Sequence, residues 1–543
     1  MFFRRGRIAW LALILVLWTA TGATAATLDP KIINQGDVDL IQIQTNLVNY
    51  QFSTRGAVLE SAFIYFNTFN TAPNELVPDV NTEPDTMFRT FEFPGAMNFP
   101  FQLNLDDEDS VYEFSIERET DDLIELKFTR VVDQLEITKR YVVFNDPYYR
   151  VQFRLSLKNL GDAGLTLDDG YTLTLTSGLA SVKDAKEVYL VNGKSTQTLP
   201  APPYAFGGVG FLGQGLAIFL KNETSASDAN ATIMPWAGVN ARQQKLLGAK
   251  VDKIELGPGQ AADYQYLLYA GRWKYVLMDE SGLGEVAGNG PFSQLLVWTI
   301  VGLNWLFGVT GNYGWAIILF TIITRILFFP LLRQQFHSMA KMREVQPKIM
   351  KLRERYPGLG ELRKTHKDLD AAEMQARARE NREKLNKKMM ELYQREGVNP
   401  LGGCLPSLLQ MPFLILLWRT ILYSAEAIHY SPGFMWLNDL SQPDPLYILV
   451  VITAGVMMLQ TKLTPQMSTG GQNQMLMMWI MPVFMAIFLR DFPAGLWLYY
   501  FLTTVIQVLQ QMIINWEIDQ KKPVTVGAVA GGDAEVLVDD EGT

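Results

Sequence analysis

The stretch Tyr313-Gly314-Trp315-Ala316-Ile317-Ile318-Leu319-Phe320-Thr321-Ile322-Ile323-Thr324-Arg325-Ile326-Leu327-Phe328-Phe329-Pro330 decides the fold. A helix crossing the ~30 Å hydrocarbon core of a bilayer needs about 20 mostly apolar residues, and this run supplies them. It carries one charge, Arg325. A central arginine costs about 2.5–3.5 kcal/mol on insertion scales, so it faces a polar cavity or a partner. Arg325 lies about eight residues, ~12 Å, from the end of the span.

Working outward, apolar runs recur at Leu401–Tyr423, Leu446–Lys462, Met475–Leu489 and Ala494–Trp516. Another, Ile8–Ala26, follows Arg4, Arg5 and Arg7. It reads either as a secretory signal peptide, with Ala23-Thr24-Ala25 as a small-residue cleavage site, or as an uncleaved signal anchor. In both cases the arginines stay in the cytoplasm and the following residues are exported. The run Phe292–Phe307 has only 16 residues, about 24 Å as a helix. Were it a span, the basic block 334–399 would lie outside, against the positive-inside rule. It reads instead as an amphipathic helix in the outer interface.

The fold class that follows is a polytopic α-helical membrane protein of six spans. One is N-terminal and five form a core, with a large exported β-sandwich and a cytoplasmic helical hairpin. The layout is a signal anchor (1–26), an exported β domain (27–285) and an interfacial helix with its turn (286–311). A second span (312–333), the cytoplasmic hairpin (334–399), a third span (400–425), an outer loop (426–445) and a fourth span (446–462) come next. A cytoplasmic loop (463–474), two further spans (475–489 and 494–516) and an acidic cytoplasmic tail (517–543) complete it. Tyr313, Trp315, Trp436, Trp497 and Trp516 fall at the expected interfaces, where aromatic belts form.

Charge is segregated along the 543 residues. The net charge is −9 overall. Residues 27–290 carry 21 Lys+Arg against 35 Asp+Glu, whereas 334–399 carry 16 against 10. A composition of 48% hydrophobic and 19% charged residues excludes a disordered chain. The single Cys404 excludes an intramolecular disulfide and a cysteine-cluster metal site.

Residues 27–285 read as β. Alternating runs such as Leu123-Ile124-Glu125-Leu126-Lys127-Phe128, Tyr149–Leu155 and Tyr171–Leu175 are separated by Asn/Asp/Gly/Pro clusters. Val191-Asn192-Gly193-Lys194-Ser195-Thr196 looks like the end of a phosphate-binding loop, but Val188 stands where its first glycine belongs, so it reads as a turn. The histidines, His337, His366 and His429, all lie outside this domain. A binding or scaffolding role is favoured over catalysis, and no cofactor or metal is expected.

In the basic block, Met342, Val345, Ile349, Leu352 and Tyr356 are spaced 3, 4, 3, 4, one apolar helical stripe. Met374, Ala378, Leu385, Met389 and Leu392 give a second stripe after Pro357-Gly358. The two form a hairpin whose basic excess suits acidic partners such as headgroups or ribosomal RNA.

Arg325 has company of a neutral kind. Thr321 is one turn earlier on the same face. Gln410 sits in the third span, Gln460 near the inner end of the fourth, and Thr503, Thr504, Gln507, Gln510 and Gln511 in the last. Together they suit a hydrated groove open to the cytoplasm. Methionines such as Met457, Met458, Met475, Met477, Met478, Met481 and Met485 suit an adaptable apolar wall beside it.

Asn312-Tyr313-Gly314-Trp315 with Thr324-Arg325, Ser338-Met339-Ala340-Lys341-Met342 with Gln346-Pro347-Lys348, Asn399-Pro400-Leu401-Gly402-Gly403-Cys404 with Gln410-Met411-Pro412, and Pro493-Ala494-Gly495-Leu496 with Tyr499-Tyr500 resemble the YidC membrane protein insertases, relatives of the mitochondrial Oxa and chloroplast Alb insertases. The resemblance covers about 290–516, and the layout is similar to the Gram-negative form. It implies a protein that is not an enzyme. Such a protein moves nascent membrane proteins into the inner membrane, alone or with the Sec translocon, without nucleotide. It implies that Arg325 is the groove arginine, with Thr321 and Gln410 as groove polar groups; Thr504 and Gln507 join them as candidates from their place in the last span. Met411 and Pro412 then contact clients, and Tyr499 and Tyr500 are the paired tyrosines of the last span. The hairpin is the implied contact for the ribosome or the signal recognition particle. The exported domain would be similar to sugar mutarotases without their histidine chemistry.

Three departures stand out. The hairpin is long over Gly360–Ala376. The tail after Trp516 is acidic. Arg419 replaces an apolar residue, and either reaches Glu426 two turns on or snorkels outward. The competing classes are a secondary transporter, for which internal repeats and intramembrane acids are expected, and a membrane-anchored carbohydrate-binding protein.

Overall fold

The computed structural model describes residues 28–66, 73–77, 99–107, 109–179, 185–225, 232–239, 245–287, 291–365, 370–397, 405–463, 480 and 482–521. The expectations for 1–26, for 464–474, for the methionines over 475–481 and for the tail beyond 521 lie outside these residues. The chain divides into two units. The first holds 1–320, 414–448 and 489–498, and the second holds 321–413, 449–488 and 499–543.

The first unit contains the β domain. Nine strands form its main sheet, in the order β13(Lys194–Thr196)-β12(Lys186–Val191)-β14(Phe206–Gly213)-β15(Leu216–Asn222)-β19(Ala261–Arg272)-β9(Arg150–Asn159)-β8(Leu135–Phe144)-β7(Leu123–Val132)-β6(Glu113–Glu119). A five-stranded sheet, Lys31–Gln35 to Asn74–Glu75, a three-stranded one, Tyr171–Thr176, Lys245–Val251 and Ile233–Val239, and a two-stranded one, Leu165–Leu167 with Ile254–Leu256, accompany it. Alternation sets which face is buried: Val151, Phe153, Leu155 and Leu157 of β9 point inward and Arg154 and Lys158 outward. Rings interlock across the layers. Phe52 lies 4.9 Å from Tyr141, and Tyr171 lies 4.8 Å from Tyr264. The stretch Val191–Thr196 is a two-residue hairpin turn. Val191 pairs with Lys194, and Asn192 and Gly193 both take left-handed backbone angles.

One cation is enclosed in this core. Lys139 of β8 is wholly buried and donates to Asp106 at 2.7 Å and to the carbonyls of Gly56 and Phe101 at 2.6 and 2.9 Å. Tyr112 donates to the same carboxylate at 2.6 Å. With every donor occupied, the charge staples β8 to two loops rather than standing as an unpaired cost.

Two short helices follow, α1 (Tyr275–Glu280) and α2 (Gly284–Ala287), then α3 (Pro291–Thr310). The sequence suggests an amphipathic helix over 292–307; the structure has a longer one whose two faces are both apolar. Leu296, Ile300, Leu303 and Leu306 are buried, while Leu295, Trp298, Val301, Trp305 and Val309 are exposed. Polarity therefore does not divide this helix.

The 43-residue helix α4 (Tyr313–Arg355) runs without interruption from the apolar stretch into the basic block, through Pro330 and Pro347. After it come α5 (Leu359–Thr365) and α6 (Ala371–Arg395), whose N-terminus is capped by the Asp370 side chain at 2.7 Å. Val345 and Ile349 of α4 are buried against Met389, Leu392 and Tyr393 of α6. Then come α7 (Leu405–Tyr423), α8 (Ala425–His429), α9 (Ile448–Leu463), a helical segment over 482–488, and α10 (Ala494–Lys521). Among the described residues, Tyr313–Pro330 and Ala494–Ile513 are long and apolar enough to cross a membrane. Gln294–Thr310, Leu414–Tyr423 and Ile448–Thr461 are shorter apolar helices.

Candidate client groove and its bracing

The second unit buries polar side chains on its apolar helices. On α4, Thr321 is fully buried and Arg325 is 8% exposed. The four-residue spacing puts them on one face. On α10, Tyr499, Thr503, Thr504, Gln507 and Gln511 are buried, and Tyr500 is half-buried. Positions 500, 504, 507 and 511 repeat every three to four residues, so one face of α10 carries a polar stripe. Tyr499 and Arg325 are near enough to interact electrostatically.

Several hydroxyls in this unit are satisfied on their own helices. Thr504 donates to the Tyr500 carbonyl at 2.7 Å, Thr453 to Leu449 at 2.5 Å and Thr324 to Thr321 at 2.9 Å. The ion pairs of this unit include Arg333–Glu517 and Lys348–Glu396, both at 2.7 Å. Among the described residues, none of the ion pairs includes Arg325. A buried cation without a carboxylate draws on neutral dipoles and water.

Met411 and Pro412 of α7 are exposed. Pro412 interrupts the helix ladder because it has no N–H to donate. Gln410 falls within α7, but its side chain is outside the described residues. Thr453 is a fully buried hydroxyl that the sequence reading passed over. Its signal was a lone threonine in the apolar run Val450-Val451-Ile452-Thr453-Ala454-Gly455.

The first unit has a different character. Its helical segments are tied together by a folded loop over 430–447. Asn312 donates to the carbonyls of Pro432 and Gly433 at 3.1 and 2.9 Å, and its side-chain oxygen accepts from the Gly314 N–H at 2.8 Å. Gly314 is required by close approach, since a Cβ there would collide with the Phe434 ring. Trp315 meets the same ring edge-on at 5.6 Å. Tyr313 stacks on Phe307 at 4.3 Å and donates to Asn304 at 2.9 Å. The motif Asn312-Tyr313-Gly314-Trp315 is thus one joint. The loop also meets the first turn of α10, where Ala494 and Gly495 donate to the carbonyls of Gln442 and Leu440 at 2.7 and 2.8 Å. Those N–H groups have no partner inside their own helix.

Glu426 is 1% exposed, and its partner replaces Arg419 in the first of the two alternatives, that of reaching Glu426. Lys274, just after the β domain, donates to its two oxygens at 2.8 and 2.7 Å and to the Leu422 carbonyl at 2.7 Å. Tyr149 adds a hydrogen bond at 3.2 Å from a left-handed backbone, φ 53°. Burial pushes the Lys274 ammonium below its ordinary range, against the pull of the Glu426 carboxylate. It pushes the Tyr149 phenol up. Nearby, Tyr430 donates to Asn145 at 2.9 Å, and His429 sits 2.7 Å from Asp439 with its ring 4.5 Å from Phe66. Arg419 remains exposed.

Comparison with known proteins places these features. The family described as 60Kd inner membrane protein matches residues 305–369 and 367–521. A membrane protein insertase YidC of Geobacter sp. (strain M21) is 34% identical over 264 residues, 48% of this chain and 45% of its own length. The membrane protein insertase YidC of Thioalkalivibrio sulfidiphilus (strain HL-EbGR7) is 33% identical over 288 residues, 52% of this chain and 47% of its own. The chain spans about half the length of the curated relatives it matches. A solved structure described as an active YidC insertase with the first transmembrane domain resolved covers 93% of this chain and 98% of its own, with a TM-score of 0.50 at 20% identity. That likeness is one of fold. Over residues 305–521, the segment that carries Arg325 and the polar face of α10, this chain is similar to the 60Kd inner membrane protein family, and about half of it is similar to the YidC membrane protein insertases.

Proposed function

We propose that this protein inserts nascent membrane proteins into the inner membrane and helps them fold, alone or beside the Sec translocon. The observation that carries the reading is Arg325, buried beside Tyr499 and, among the described residues, in no ion pair. A client that exports a short hydrophilic tail must take polar, often acidic, residues through an apolar medium, at several kcal/mol for each unpaired charge. A hydrated groove reaching partway shortens that path. A fixed cation in it attracts acidic tails more strongly than it would in bulk water. The client's apolar segment slides past Met411 and Pro412 and leaves sideways into lipid. The driving force is burial of that segment, at about 25 cal/mol per Å².

The accompanying topology is six spans, with the β domain in the periplasm and the 334–399 block and tail in the cytoplasm. The basic surface of α4–α6 offers a place for the ribosome or signal recognition particle. The family's inner-membrane description and the charge segregation support this arrangement.

The test is depletion in cells, following insertion of a small single-span protein and, in parallel, solute flux. A defect in insertion with unchanged flux is expected. Unchanged insertion with altered flux would replace this reading by a transporter.

A further inference from the structure

We infer that Arg419 and the neighbouring turn form a binding site for the phosphate of an anionic phospholipid in the outer leaflet. The inference rests on the reading above that α7 spans the membrane with Tyr423 at its outer end. Arg419 is exposed, and Ile415, one turn earlier on the same face, is also exposed. This face of α7 therefore looks away from the protein, toward lipid. A guanidinium stays on such a face only where it reaches the interface.

The level of Arg419 is fixed by its neighbour. The Trp418 ring lies 5.4 Å from Phe492, which belongs to the turn entering α10. That turn carries Arg490 and Asp491, with side chains 58% and 60% exposed. Arg419 is thus level with a charged turn in the headgroup layer. Its one candidate acid, Glu426, is already held by Lys274 and Tyr149. Among the described residues, no ion pair includes Arg419. Among the described residues, the ion pair of Arg490 is with Asp491, at 3.4 Å. Two exposed arginines against one acid leave a net positive rim. A guanidinium fork matches the oxygens of a phosphate.

The purified full-length protein is titrated in detergent with phosphatidylglycerol, phosphatidylcholine or inorganic phosphate, and retained lipid is counted by native mass spectrometry. Arg419→Ala is expected to weaken phosphatidylglycerol binding about fivefold and Arg419→Lys to keep most of it. Phosphatidylcholine, whose choline offsets its phosphate, is expected to change little. Equal phosphatidylglycerol binding by wild type and Arg419→Ala overturns the site. Displacement of the lipid by millimolar inorganic phosphate overturns the lipid as its occupant. A cysteine at Tyr423 labelled from outside tests the topology separately, so its failure is distinguishable from failure of the site.

Discussion

Lys274 holds both carboxylate oxygens of Glu426, at 2.8 and 2.7 Å, across 152 residues of sequence. The same ammonium takes the Leu422 carbonyl at the C-terminal end of α7, where the last carbonyls of a helix lack intrahelical partners. One side chain therefore joins the exit of the β domain to the end of α7. The pair is buried, so its value lies in being complete. Either half alone would be an uncompensated charge.

Removing one half should therefore be costly. Lys274→Met is expected to destabilise the protein by about 3–5 kcal/mol, read as a lower midpoint in thermal unfolding of the purified protein. Replacing both residues, Lys274→Met with Glu426→Leu, should recover much of the loss. A double variant no more stable than Lys274→Met would show that the junction depends on something other than the pair.

Gly314→Ala tests the joint between α4 and the loop. The added methyl group meets the Phe434 ring inside a packed contact, and overpacking of that kind costs about 1–3 kcal/mol. Faster proteolysis of the 430–447 loop is the expected signature. Phe434→Ala in the same chain should relieve it. Wild-type resistance in Gly314→Ala would mean the ring moves aside freely.

For Arg325, charge is expected to matter more than the guanidinium fork. Arg325→Lys should keep much of the insertion activity. Arg325→Ala and Arg325→Glu should lose insertion of clients with acidic exported tails by an order of magnitude or more, since an uncompensated charge in an apolar medium costs several kcal/mol. Matched client pairs differing only in tail acids provide the measurement. Equal loss for both members would assign Arg325 to hydrating or bracing the groove. No loss for either would remove it from the mechanism.

Topology is testable with single cysteines in a Cys404→Ser background. Glu380→Cys is expected to label only from the cytoplasm and Thr120→Cys only from outside. Labelling of position 380 from outside would make α3 a true crossing.

Deleting 342–392 should impair delivery of clients while leaving the membrane helices folded, because the basic residues of α4 and α6 would be gone. Insertion of every client at the wild-type rate would reduce this region to a solvated loop. Truncation of 523–543 should have the smaller effect, since that tail brings acids where the acidic partners need cations.

The sequence by itself determined what depends on local periodicity and on single residues out of place. The alternation in β9 already separates Val151, Phe153 and Leu155 from Arg154 and Lys158, because a strand has a period of two whatever it pairs with. The 3–4 spacing of Val345 and Ile349 marks the buried side of α4 in the same way. Arg325 announces itself because one charge in an apolar span is expensive wherever its helix packs.

The tertiary structure decided everything that depends on which distant groups meet. Sequence proximity offered Arg419 to Glu426, but Lys274 arrives from the β domain and occupies both oxygens. The polar stretch between Pro330 and Arg355 suggested a separate hairpin arm, and the structure instead continues α4 through it, since Pro347 tolerates the helix at the loss of one hydrogen bond. Both faces of α3 are apolar, so no polarity pattern could show which is covered. Pairing over long separations is set by the packing of the whole unit, and that information is spread over hundreds of residues rather than written beside either partner.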